Sequence, residues 1–222
     1  RQIGHRGVIQ IFEGRLGDQP VLVLGDDTSK VLPILAKNQD LVDECKTLDH
    51  PNYLRFIGTT QKQGLTLFVH ESIPGKPLAA VLKDQPILPL EESLAWFLEM
   101  VSIVEALHKR GRAHGFLSPS SFLVGAPAGV GHPTRTIFLL DYPAEALMKR
   151  ATCLEARVLP FSSMSYSAPE VVRREKVSPK SDFFSLGAIL AKMVTGRFPF
   201  GDAFGRPDER VLLSDVSPDL TT

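Results

Sequence analysis

The chain has 222 residues, and its 25 lysines and arginines balance its 25 aspartates and glutamates, so the formal net charge is zero. With 43% hydrophobic and 23% charged residues, the composition is that of a folded globular protein and excludes wholesale disorder. The balanced charge leaves no overall basic excess for nucleic acid, and no apolar run approaches the ~20 residues of a membrane helix. The two cysteines, Cys45 and Cys153, argue against a disulfide-built module and a zinc site.

The N-terminal part, residues 1–73, predicts a small β-rich lobe with the element order β-β-α-β-β. Apolar and β-branched segments predict four strands, at 8–12, 21–24, 53–58 and 65–70. Between the second and third strands, apolar residues recur at helical spacing over 29–48, which predicts one helix. The sequence HPN at 50–52 ends that helix, because a proline disfavours the helical conformation in the residue before it.

The remainder, residues 74–222, is predicted to be mainly helical, with its longest helix over 90–109. We expect that helix to turn one apolar face towards the core, made of Leu94, Phe97, Leu98, Val101, Val104 and Leu107 or His108. Trp96 lies between these positions and would be a candidate partner anchor if it were exposed. The other elements are two short apolar segments and a second helix that ends at a glycine, at 121–125, 136–141 and 182–196.

The order of these segments resembles the eukaryotic protein kinase fold. The segments that carry the resemblance are IGHRGVIQIFEG (3–14) for the Gly-rich loop, LFVHESIPGKPL (67–78) for the hinge, LHKRGRAHGFLSPSSFLV (107–124) for the catalytic loop, LLDYPA (139–144) for the metal-binding turn, SYSAPEV (165–171) for the A-P-E motif, and 181–200 for helix F. The resemblance implies one α+β domain with a β-rich N-lobe carrying helix C (1–73) and a mainly helical C-lobe (74–222). The C-lobe is expected to be incomplete after helix F.

Three positions that carry chemistry in that family hold other residue types here. By the resemblance, Leu24 stands at the phosphate-binding lysine, Phe116 at the catalytic aspartate and Ser121 at the metal-binding asparagine. Leucine cannot donate to a phosphate, phenylalanine cannot accept a proton, and a serine hydroxyl is a weak ligand for a hard cation. Leu22 replaces a residue that is usually small beneath the adenine. ATP binding is therefore expected to be weak or absent.

Other family positions are retained. The sequence Ala168-Pro169-Glu170 is intact, and Asp182 stands at the start of helix F, where the family uses an aspartate to tether the catalytic-loop backbone. Asp141 remains in the metal-binding turn, although Pro143 replaces the glycine that follows it. In the family, Glu170 meets an arginine of the late C-lobe, and that partner is expected to be missing.

These features predict a catalytically inactive pseudokinase domain that acts as a protein-interaction scaffold or allosteric regulator, and hence a chain that is not an enzyme. We expect no catalytic, cofactor-binding or metal-ligating residues and no cofactor. The expected partner is a protein, without nucleic acid or membrane insertion, and the expected location is cytoplasmic. The alternative is an atypical nucleotide-binding or weak phosphotransferase domain that uses Asp141.

Overall fold

The computed structural model describes residues 2–6, 9–125, 135–140, 142, 164–173 and 175–199. The chain divides into two compact units, whose residues are Arg1–Gly75 with Leu123–Val158, and Lys76–Phe122 with Leu159–Thr222. The first unit holds a large sheet, and the second holds most of the helices. The predicted boundary between residues 73 and 74 stays a prediction.

The first unit is built on a five-stranded antiparallel sheet. Its strands are β1 (Gln2–Arg6), β2 (Ile9–Leu16), β3 (Gln19–Asp27), β4 (Phe56–Lys62) and β5 (Leu65–Glu71). They lie in the spatial order β1-β2-β3-β5-β4, which places β4 at one edge. The four predicted strands are therefore present, but β4 begins later than residue 53, because Tyr53 instead makes an isolated parallel bridge with Leu139.

The β4–β5 hairpin turns at two residues with positive φ. Gln63 has a φ of 52° and Gly64 a φ of 76°. Two consecutive residues with positive φ are typical of the tight turn whose twist matches that of antiparallel strands.

The helix predicted over 29–48 is in fact two helices. α1 (Thr28–Lys37) and α2 (Gln39–Lys46) are separated by Asn38, which has a φ of −135°. Asparagine favours helix ends because its side chain competes for nearby backbone groups. Asn38 donates its backbone N–H to Leu35 and accepts the first bond of α2 from Val42, so one residue ends α1 and begins α2.

Three short strands follow along the chain and form a second sheet. They are β6 (Gly75–Pro77), β7 (Phe122–Gly125) and β8 (Thr136–Leu139), in the order β6-β7-β8. At Gly75, an added Cβ would lie 2.5 Å from the carbonyl oxygen of Val124, so only glycine allows this close approach of two backbones.

The two helices predicted in the second unit are present, together with two shorter helices that were not predicted. They are α3 (Leu78–Asp84), α4 (Leu90–Lys109), α5 (Pro169–Val172) and α6 (Pro179–Thr195), with a 3-10 turn at Pro119–Ser121. α4 has the predicted bounds, and α6 ends at Gly196 with a φ of 70°, the left-handed conformation expected of a helix-ending glycine.

Among the described helices, none is long and apolar enough to cross a membrane. The expected incompleteness of the C-lobe concerns residues beyond 199, which lie outside the described part.

The buried face of α4 agrees with the predicted one at Val104 and Leu107 but not at Leu94 and Leu98. The buried residues are Ser93, Trp96, Met100, Ile103, Val104 and Leu107. Leu94 and Leu98 are 43% and 66% exposed, whereas Trp96 is 2% exposed and so is not a surface anchor for a partner. Burying one tryptophan removes more apolar surface from water than burying a leucine, which favours the face that contains Trp96.

The orientation of α4 predicts unequal effects of two truncations on the same helix. Met100→Ala removes a fully buried side chain and should lower the free energy of unfolding by about 2–5 kcal/mol. Leu98→Ala removes an exposed side chain and should change it by less than about 0.5 kcal/mol. Urea denaturation of both variants measures the difference. Equal losses would contradict the observed face.

Candidate active site

The segment that resembles the catalytic loop is buried although it is neither helix nor strand. Residues 113–118 follow α4, and all of them are buried. Buried backbone N–H groups need hydrogen-bond partners, since an unsatisfied donor away from water costs free energy. The partners of this loop therefore decide how it is held.

The carboxylate of Asp182 holds the backbone of this loop. Asp182 lies in the first turn of α6 and is fully buried. Its Oδ2 accepts the backbone N–H of His114 at 2.8 Å, and its Oδ1 accepts that of Gly115 at 2.5 Å. His108 Nε2, from the last turn of α4, lies 2.8 Å from the same Oδ2. The tethering role that the resemblance implied for Asp182 is confirmed by these contacts.

Gly115 occupies a position that only glycine fits. Its φ is 85°, and an added Cβ would lie 2.6 Å from Cγ1 of Val177. The resemblance places an arginine of the family at this position. The backbone conformation and the close contact together explain why a side chain is absent here.

The two substituted positions of the loop are also buried. Phe116 is 3% exposed, and its backbone N–H donates to Nδ1 of His114 at 3.4 Å. Ser121 is fully buried, and its Oγ accepts the backbone N–H of Ser118 at 3.0 Å as part of a capping box on the 3-10 turn. The Ser121 hydroxyl therefore serves the local backbone, and the Phe116 ring offers no proton-accepting atom.

Among the described residues, Ser121, at the position of the family's metal-binding asparagine, is a poor ligand for the magnesium ion that the family implies. Within the described part of the chain, no group of three or more histidines, cysteines, aspartates or glutamates is close enough to hold a metal. Magnesium prefers carboxylate oxygens in octahedral geometry, whereas the Ser121 hydroxyl is neutral and already engaged. Asp141 and Pro143 lie outside the described residues.

Tyr142, between these two positions, is described and buried. Its carbonyl oxygen accepts the hydroxyl of Tyr53 at 2.9 Å. The bond joins the segment after β8 to the segment before β4, within the first unit. Tyr142 thus has a clear packing role, and its ring is 1% exposed.

The first unit carries the substituted position of β3. Leu24 is 2% exposed and lies opposite Phe68 of β5 in the strand register. Leu22, two residues earlier on the same strand face, lies opposite His70. It belongs to a cluster of buried apolar side chains that comprises Leu22, Leu54, Leu123, Phe138 and Leu140. The position that the resemblance places beneath adenine is thus packed by side chains.

Glu170 of the A-P-E sequence finds a partner that the sequence did not predict. The hydroxyl of Ser181 donates to its Oε1 at 2.6 Å. This hydrogen bond holds the pKa of the Glu170 carboxyl below its ordinary value, because it favours the charged form. The sequence Ser178-Pro179-Lys180-Ser181 signals the capping box at the start of α6, but it does not signal the contact of Ser181 with Glu170.

The sequence profile of the protein kinase domain matches residues 35–215, which is most of the chain. This chain belongs to the protein kinase domain family. The "Probable serine/threonine-protein kinase PknB" of Lactococcus lactis is 24% identical over 215 residues, covering 91% of this chain and 32% of that protein. The "Serine/threonine-protein kinase unc-51" of Caenorhabditis elegans is 27% identical over 207 residues, covering 89% of this chain and 24% of that protein.

The chain therefore spans about a third or less of the length of these relatives. Among solved structures, a double mutant of the PknI kinase domain of Mycobacterium tuberculosis matches with a TM-score of 0.75 at 17% identity. The match covers 99% of this chain and 81% of that one. The predicted kinase-like α+β fold, with a β-sheet N-lobe and a helical C-lobe, is confirmed.

The prediction that the chain is not an enzyme is wrong by these comparisons. Relatives that match most of its length are named serine/threonine protein kinases, which points to an enzyme. The prediction treated the loss of three family side chains, at Leu24, Phe116 and Ser121, as the loss of the reaction. Phosphoryl transfer depends mainly on positioning and charge stabilisation, so a missing base lowers the rate without removing the reaction class.

The burial of Phe116 predicts that a carboxylate at this position destabilises the domain. Phe116→Asp removes an aromatic side chain, for which truncation costs about 3–5 kcal/mol, and places an unpaired charge in the loop. The matched control Phe116→Leu keeps an apolar side chain and should cost less, about 1.5 kcal/mol or below. Urea denaturation midpoints measure both. An unchanged midpoint for Phe116→Asp would show that position 116 is not buried in solution.

Proposed function

We propose that this domain is a serine/threonine phosphotransferase with a low rate of transfer. Three facts support the proposal: the family membership, the names of the relatives, and the bonds from Asp182 to the catalytic-loop backbone. The bonds from Asp182 are the observation on which the proposal mainly rests, because positioning is the larger part of catalysis in phosphoryl transfer. A loop fixed by a buried carboxylate retains that part even where individual side chains have changed.

The residue at position 116 sets the expected rate. General acid–base catalysis typically contributes a factor of about 10²–10⁴, and kinases turn over at about 1–100 per second. Without a proton acceptor at Phe116, we expect turnover on the order of 10⁻⁴ to 1 per second. Asp141 is the carboxylate of the metal-binding turn that the sequence retains, and the proposal depends on it.

A transfer assay with labelled ATP and a mixture of protein acceptors tests the proposal. The wild type should transfer phosphate to serine or threonine within the expected range, and Asp141→Ala should abolish the transfer. Asp84→Ala is the matched control, because Asp84 is an exposed aspartate paired only with the surface residue Lys76, and it should keep the wild-type rate. Failure of the wild type to transfer, or equal rates in wild type and Asp141→Ala, would overturn the proposal.

A second candidate function is regulation of a protein partner through binding, as a scaffold or allosteric domain. The apolar cluster around Leu22 favours it, because its side chains occupy the region that the family leaves open beneath adenine. A domain with weak affinity for ATP exerts its influence on a partner chiefly through its surface. Phosphoryl transfer and this role are compatible in one protein.

Thermal unfolding with and without ATP tests how far Leu22 limits nucleotide binding. If the dissociation constant is millimolar or weaker, 1 mM ATP stabilises the wild type by no more than about 0.4 kcal/mol. Leu22→Ala should raise this ATP-dependent stabilisation, although it lowers the melting temperature of the domain without ATP.

Leu48→Ala is the control for this experiment. Leu48 is a buried leucine of the same unit that is not part of the cluster, so its truncation should lower the melting temperature without creating an ATP response. A strong ATP response in the wild type would contradict the role of Leu22. So would equal ATP responses in the two variants.

A further inference from the structure

One buried serine hydroxyl joins α5 to the start of α6. Ser181 lies in the first turn of α6 and is fully buried. Its hydroxyl donates to Oε1 of Glu170 in α5 at 2.6 Å, and its oxygen accepts the backbone N–H of Ser178 at 3.2 Å. A hydroxyl carries one proton, so the proton of Ser181 is committed to the Glu170 carboxylate. The two bonds together fix the orientation of this side chain.

The residue after Ser181 is the one that holds the catalytic loop. Asp182 accepts the backbone N–H groups of His114 and Gly115. Because Ser181 and Asp182 are consecutive residues of one helical turn, a displacement of that turn moves both side chains. The bond from Ser181 to Glu170 therefore acts on the turn from which the loop is held.

The segment between α5 and α6 also contacts the loop directly. The backbone N–H of Glu175 donates to the carbonyl oxygen of Glu170 at 2.8 Å, which closes a turn after α5. Two residues later, Val177 packs against Gly115, where an added Cβ would lie 2.6 Å from Cγ1 of Val177. The loop is thus connected to α5 both by this segment and by the side chains of the first turn of α6.

The bond between Ser181 and Glu170 is charge-assisted. The Ser181 hydroxyl is the main cause of the lowered pKa of the Glu170 carboxyl, because the hydrogen bond favours its charged form. A hydrogen bond to a charged group is stronger than one between neutral groups. Glu170 therefore restrains the Ser181 side chain more firmly than a neutral acceptor would.

A second buried serine of α6 serves as an internal comparison. Ser185 lies one turn beyond Ser181 and is also fully buried. Its hydroxyl donates to the backbone carbonyl oxygen of Ser181 at 3.0 Å, a bond within α6. Of these two serines of equal burial, Ser181 bonds to the carboxylate of another helix, whereas Ser185 bonds to the backbone of its own.

We propose that Ser181 is a positioning residue, through which the Glu170 carboxylate of the A-P-E sequence holds the backbone of the catalytic loop. The path runs from Glu170 to Ser181, and from the turn that carries Asp182 to the N–H groups of the loop. This role deepens the phosphoryl transfer proposed above and rests on it for the expected effect on rate. Its effect on the loop backbone is measurable without activity.

Amide hydrogen exchange, followed by NMR on the whole chain, measures that effect. The exchange rates of the His114 and Gly115 amides are each divided by that of the Met100 amide in α4, so that a general loss of stability cancels. Ser181→Ala should raise this ratio by at least about tenfold, because the turn that holds the loop loses its anchor. Ser185→Ala should leave the ratio at its wild-type value.

Variants of Glu170 test whether the effect passes through its carboxylate. Glu170→Ala should raise the same ratio, and the double variant with Ser181→Ala should raise it no further than the more severe single variant, since both remove one bond. Glu170→Gln keeps an oxygen that accepts the hydroxyl, so it should raise the ratio less than Glu170→Ala. Glu170 is partly exposed, so Glu170→Ala tests the same path even if Ser181→Ala does not fold.

Transfer kinetics relate the same variants to the proposed function. Ser181→Ala should lower kcat by at least about tenfold and change the KM for ATP by less than about twofold, because a displaced loop loses positioning in the transition state. Ser185→Ala should keep the wild-type kcat. If the wild type transfers no phosphate, the proposed function fails, and the exchange ratio still decides the role of Ser181.

Three outcomes of the exchange experiment would overturn this role of Ser181. The first is an unchanged ratio in Ser181→Ala or in Glu170→Ala. The second is an equal rise in Ser181→Ala and Ser185→Ala, which would show a general effect of losing a buried hydroxyl. The third is a double variant whose ratio equals the product of the two single effects, which would show that Glu170 and Ser181 act independently.

Discussion

The buried carboxylate of Asp182 is the interaction that holds the loop between α4 and the 3-10 turn in place. It accepts two backbone N–H groups of the loop and faces His108, so α4, the loop and the first turn of α6 share one charged group. A carboxylate without these donors would be costly to bury, and the loop amides without the carboxylate would be unsatisfied. The capping box of Ser178 and Ser181 fixes the turn from which Asp182 reaches the loop.

This dependence explains how the loop keeps its shape while its side chains differ from those of the family. The tether acts on backbone atoms at His114 and Gly115, so it is indifferent to the side chain at position 116. Phe116 adds apolar burial to a backbone that is already held, and Ser121 closes the 3-10 turn that follows. Positioning and proton transfer are thus carried by different atoms of one segment, and a substitution can remove the second without disturbing the first.

Local signals predicted the elements well, and long-range contacts explain what they missed. α4 and the end of α6 at Gly196 followed from periodicity and a helix-ending glycine, both properties of neighbouring residues. Periodicity alone did not predict the buried face of α4. A row of apolar residues through Leu94 and Leu98 has the same helical period as the row that contains Trp96, and packing against α6 decides which of them is buried. The bond from Ser181 to Glu170 likewise joins residues whose pairing no local pattern encodes. The role of Asp182 came from the family resemblance alone.

The same rule of backbone satisfaction separates a buried loop from an exposed strand. In the loop that follows α4, the N–H groups of His114 and Gly115 are buried, so they require a permanent internal acceptor, and Asp182 supplies it. Residues 59–62 of β4 are exposed, so water can satisfy their backbone groups. A buried donor therefore selects an acceptor within the chain, whereas an exposed donor does not. The phosphoryl transfer proposed above depends on the first arrangement, because it requires a loop whose backbone is held in one position.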